Sequence, residues 1–94
     1  MSERNEQDLQ AGYEKLEKLL FEMMNILNNF LLDYEKDYLN SLITHNEGGI
    51  AFEDMISSIK FHKISLTKSD FEIIQSAGEL MGFPEEGWAS LYSE

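Results

Sequence analysis

An all-α fold, a small single-domain bundle of four main helices with a short C-terminal helix, is what this sequence predicts. Apolar residues recur at helical spacing through every long segment. Helix-start signals stand ahead of the later stripes, and a glycine stands where the fourth should end. At 94 residues the chain has room for one core and no second one.

Leu9, Tyr13, Leu16, Leu20, Met23, Leu27 and Phe30 step by four and three in alternation, which marks one face of a long first helix. Leu19, Met24 and Leu31 widen that stripe, and Glu14 and Lys18 pair four apart on the outer face. Residues 1–7 carry no apolar anchor and are expected to fray. The helix should stop within residues 28–32, with Asp33 as N-cap of the next. That second helix is expected over residues 34–44, burying Tyr34, Tyr38, Leu39, Leu42 and Ile43. Asn46 is expected to cap the third, with Glu47 in its first turn and Phe52, Met55, Ile56 and Ile59 on its buried face. Ile64 and Leu66 alternate through an extended link. Thr67 and Asp70 then form a capping box for the fourth helix, which should bury Phe71, Ile74, Ala77 and Leu80 or Met81. Gly82 fits a left-handed position after its last turn, and Pro84 opens a last short helix carrying Trp88 and Leu91.

Composition limits the function classes. With 43% hydrophobic and 12% aromatic residues, the chain is too apolar for a disordered acidic tail. It has no cysteine, which removes disulfides, cysteine nucleophiles and thiolate metal sites, and fits a reducing compartment. No apolar run approaches the roughly 20 residues of a membrane span, and the polar, acidic N-terminus is unlike a signal peptide. Eighteen acidic against seven basic residues give a net charge of −11. Such a field repels nucleic-acid backbones and anionic membranes and speeds encounter with a basic protein, although it also serves plain solubility.

Candidate sites divide between structural and binding roles. His45-Asn46-Glu47 lacks the convergent ligands of a metal or catalytic centre, and the other histidine, His62, forms no HxxxH pair with it. No catalytic residue, metal or cofactor is expected. Gly48-Gly49 in a first helical turn implies close approach of another backbone, within the chain or from a partner. Asp33, Glu35 and Asp37 alternate with Tyr34 and Tyr38, while Glu47, Glu53 and Asp54 cluster about the third helix. These acids fit a solvated face, or else a patch that engages lysines and arginines of a basic enzyme with the tyrosines as anchors. The first stripe serves either the core or a homodimer. Trp88 fits a lid on the bundle or an exposed anchor.

The string Leu42-Ile43-x-His45-Asn46-Glu47-x-Gly49-x-Ala51 carries a resemblance when it is followed by Phe52, Met55, Ile56, Ile59, Ile64, Thr67, Phe71, Ile74, Gly78 to Met81 and Trp88. In that order these residues resemble the MafI family of bacterial immunity proteins across residues 34–91. Gly48 departs from the family pattern, where a bulkier residue is common, and the N-terminal third carries no family signature. The resemblance implies a cytoplasmic bacterial protein of contact-dependent growth inhibition that binds and neutralises the C-terminal domain of a cognate toxin. Toxins of such systems are often nucleases, including EndoU-like RNases, whose positive surfaces suit an acidic inhibitor. A small acidic regulatory or scaffold module that homodimerises through its first helix is the alternative.

Overall fold

The first stripe closes into the longest helix, and the remaining chain folds back along it. In a computed structural model describing residues 6–92, α1 spans Glu6–Leu27, α2 Asp33–Thr44, α3 Gly48–His62 and α4 Lys68–Leu80. Two short 3₁₀ turns, Glu85–Gly87 and Ala89–Leu91, supply the C-terminal helical element. The bundle of four main helices is therefore the one that periodicity predicts. Among the described residues, no helix is long and apolar enough to cross a membrane.

α1 packs against α4, α3 and α2, and α2 packs against α3. Leu20, Met23 and Leu27 of the α1 stripe are buried beside Ile43, Met55, Ile59 and Ile74. That part of the stripe is thus spent on the core rather than offered to a second copy. Removing these side chains from water supplies the main driving force for folding. The side chain of Leu9 lies outside the described residues, as do residues 1–5 of the segment expected to fray; Glu6 and Gln7 are already helical.

Several boundaries differ from the sequence reading. Phe30 is not core: the helix tightens after Leu27 into a 3₁₀ turn, which breaks the 3.6-residue phase and leaves the ring exposed. Leu32, not Asp33, occupies the N-cap of α2, and Asp33 is its first helical residue. The Glu35 carboxylate reaches back to accept from the Leu32 N–H at 2.8 Å, half of a capping box. Tyr34 and Tyr38 are exposed, not buried. Leu39 and Ile43 hold the inward face of α2, and residues one position earlier sit about 100° round the helix.

Asn46 does not cap α3. It takes φ 63° as the left-handed residue after α2, and the Glu47 N–H returns to the Leu42 carbonyl at 2.8 Å. Glu47, expected inside the first turn, stands at the N-cap position without a side-chain cap bond. Lys63 and Gly82 repeat the pattern at φ 51° and 76°, with Ile64 N–H bonded to Ile59 and Phe83 N–H to Gly78. All are Schellman-type endings, and glycine is the residue that such a position favours. Lys63→Gly should therefore raise stability by about 1 kcal/mol, read as a higher urea midpoint with an unchanged slope.

The expected capping box of α4 is present. Thr67 Oγ1 accepts from the Asp70 N–H at 3.0 Å and the Asp70 carboxylate from the Thr67 N–H at 3.1 Å. Side chains, not the expected neighbouring backbone, lie against the paired glycines: a Cβ on Gly48 would lie 2.9 Å from Leu20 Cδ1, and one on Gly49 3.5 Å from the Phe83 ring. Trp88 is 1% exposed and seals the end of the core, edge-on to Phe52 and against Gly78.

Candidate partner-binding surface

α2 and α3 cross with their inward faces in the core, so side chains just off those faces line the seam between them. Two adjoining hollows open there. One, of about 360 Å³, is walled by Leu31, Tyr34, Glu35, Tyr38, Leu39, Asp54 and Ser58. The other, of about 510 Å³, lies among Phe30, Leu32, Glu35, Asp54, Ser57, Ser58, Phe61 and His62. Glu35, Asp54 and Ser58 line both, so the two hollows sit side by side as a groove along the α2–α3 seam.

The rim is aromatic and uncovered. Phe61 is 80% exposed, Tyr34 69% and Leu32 60%, with Tyr38 and Phe30 about half exposed. Covering these side chains would take a large apolar area out of water, and contiguous apolar surface of this kind marks an interaction site more often than a single exposed leucine does. His62 stands with its ring centroid 5.6 Å from Phe30 and 5.0 Å from Phe61, so the rim is a connected set of rings. The Leu32 N–H holds the Glu35 carboxylate in place at the groove.

The acids singled out from sequence therefore separate. Tyr34, Glu35, Tyr38 and Asp54 meet in the groove, while Asp33 and Asp37 sit exposed on α2, one helical position before the tyrosines. Glu53 faces a different hollow of about 300 Å³, beside Phe83, Pro84 and Gly87. Glu47 is at the far end of α3 and acts on α1 instead. It helps hold the Tyr13 phenol above its ordinary value, after burial and Glu17. Since the neutral phenol is favoured in the folded state, Tyr13 contributes stability below pH 10 that is lost as pH rises through its raised pKa. A Tyr13→Phe variant should accordingly lose stability less steeply with pH above that point, by chemical denaturation across the alkaline range.

His45 and Asn46, which look like site residues, are occupied with ending α2. The His45 ring donates from Nδ1 to the Ser41 carbonyl at 2.7 Å, and Asn46 makes the left-handed turn. Among the described residues, no three His, Asp or Glu side chains gather to hold a metal ion.

The reading from sequence missed Phe61, Leu32 and His62 as surface-forming residues and assigned Phe30 to the core. Phase was the available signal for Phe61. It follows Ile59 by two positions, about 200° from the face that Phe52, Met55, Ile56 and Ile59 bury. Comparison of the chain with protein-family models, with curated proteins and with solved structures found no match.

Proposed function

We propose that this chain is a non-catalytic immunity protein that binds the C-terminal domain of a cognate bacterial toxin and occludes it. The single observation that carries the reading is the groove itself, where exposed aromatic rings surround two carboxylates on a chain of net charge −11. Aromatic anchors bounded by acids suit a basic protein surface: the charge speeds encounter and the rings slow release. A nuclease is the toxin class that this chemistry favours, because a positive substrate cleft is what an acidic inhibitor can cover. The resemblance of residues 34–91 to the MafI family points the same way, and a bacterial cytoplasmic location, where such a toxin acts, is part of this proposal.

The test uses the purified chain and the purified C-terminal domain of the proposed cognate toxin. The expected result is a one-to-one complex by sedimentation and stoichiometric loss of the toxin's nuclease activity. A chain that sediments as a stable homodimer and leaves the toxin free and active would overturn the reading in favour of a regulatory or scaffold module.

A further inference from the structure

We infer that the α2–α3 groove takes an arginine-bearing peptide segment of the partner, an apolar side chain seated between Leu32 and Phe61 and a guanidinium between Glu35 and Asp54. This rests on the binding role proposed above and specifies the surface and the chemistry it selects.

Charge decides between occupants. A second copy would bring its own acidic groove and the same net charge of −11 to the seam, and phosphate-bearing ligands are repelled by the same field. A cationic segment is attracted by it. Two features then favour arginine over lysine. The planar guanidinium can pair bidentately with a carboxylate, and it stacks on aromatic faces, which Tyr34 and Tyr38 supply at the wall that holds Glu35 and Asp54. Glu35 is held in place before any partner arrives, since its Oε1 accepts from the Leu32 N–H. The second hollow has a different character. Phe30, Leu32 and Phe61 surround it, so it accommodates an apolar side chain next to the cation. The two hollows lie side by side along α3 from Asp54 to His62, which suits an extended or helical segment.

The probe is a synthetic 16-residue peptide with leucine and arginine on one helical face. It is compared with versions carrying lysine for arginine, serine for leucine and glutamate for arginine. Amide and aromatic shifts of the full chain are followed by NMR. The expected result is saturable perturbation centred on Tyr34, Glu35, Tyr38, Asp54 and Phe61, with binding in the order arginine, lysine, then the serine version, and none for glutamate. Phe61→Ser should weaken the arginine peptide about tenfold or more. Glu35→Gln should weaken it as well while keeping the Leu32 N–H bond, because glutamine retains the accepting oxygen. Unchanged thermal unfolding of Phe61→Ser would show that the loss is at the surface. Equal binding of the serine peptide, perturbation centred on the Phe83–Pro84 hollow, or indifference to Phe61→Ser would overturn the inference. Toxin neutralisation that survives Phe61→Ser and Glu35→Gln would leave the immunity role standing and place the contact elsewhere, so the two failures are distinguishable.

Discussion

Trp88→Ala should lower the unfolding free energy by about 3–5 kcal/mol, the largest loss expected from a single side chain in this protein. The indole is 1% exposed, meets Phe52 edge-on with centroids 6.3 Å apart, and fills the space that Gly78 leaves. For a domain of this size such a loss lowers the melting temperature by about 12 °C or more. Gly78 gives the complementary test. A Cβ there would lie 2.4 Å from Trp88 Cζ3 and 2.7 Å from Cε3, atoms of a rigid ring with no flexible end to move aside. Gly78→Ala should therefore cost about 1–3 kcal/mol, although alanine is the better helix former. On a Trp88→Leu background the clash is gone and the same substitution should be neutral or stabilising. Trp88→Phe should cost well under the alanine variant, because the indole Nε1 is buried without a hydrogen-bond partner and phenylalanine deletes that donor. Urea unfolding of these variants reads the whole set. A stabilising Gly78→Ala in the otherwise unchanged chain would mean that the ring does not sit against α4.

Neutralising α2 should act on rates rather than on the fold. The triple variant Asp33→Asn, Glu35→Gln, Asp37→Asn removes three negative charges from one helix and leaves acceptors at each position. The cap from residue 35 to the Leu32 N–H survives. Steered association depends on the summed field, so the on-rate for the toxin domain should fall about tenfold or more at low salt. Its dependence on ionic strength should flatten, while the off-rate, which on this proposal the exposed rings set, should move less. Stopped-flow mixing at several salt concentrations measures both. An on-rate and salt slope equal to those of the parent would reduce these acids to solvated surface.

The helices were legible because each buried stripe is long enough to show its period, and because the Thr67–Asp70 box is a local signal that packing does not alter. Gly82 was legible for the same reason: its left-handed turn depends on residues within one turn of it. Tyr34 and Tyr38 misled because aromatic residues at i and i+4 look like a core stripe. Only the competing pair Leu39 and Ile43 decides which face turns inward. The match of Gly78 to Trp88 joins residues ten apart through a reversal at Gly82, beyond the reach of helical periodicity. The groove was illegible for a longer-range reason. Glu35 and Asp54 meet only because α2 and α3 pack against each other, and no spacing in the sequence encodes that crossing. Charge was visible throughout, but its arrangement was not: the eight residues singled out divide among the groove, the exposed face of α2 that carries Asp33 and Asp37, the hollow beside Glu53, and the α1 side of α3 at Glu47.

Host growth during co-expression tests the central proposal most directly. The C-terminal domain of the proposed cognate toxin is induced alone, with this chain, with its Phe61→Ser, Glu35→Gln variant, and with an unrelated immunity protein. Growth restored by the parent chain, lost or much reduced with the groove variant at equal protein level, and absent with the unrelated protein is the expected result. An active toxin that this chain fails to restrain would contradict the immunity role.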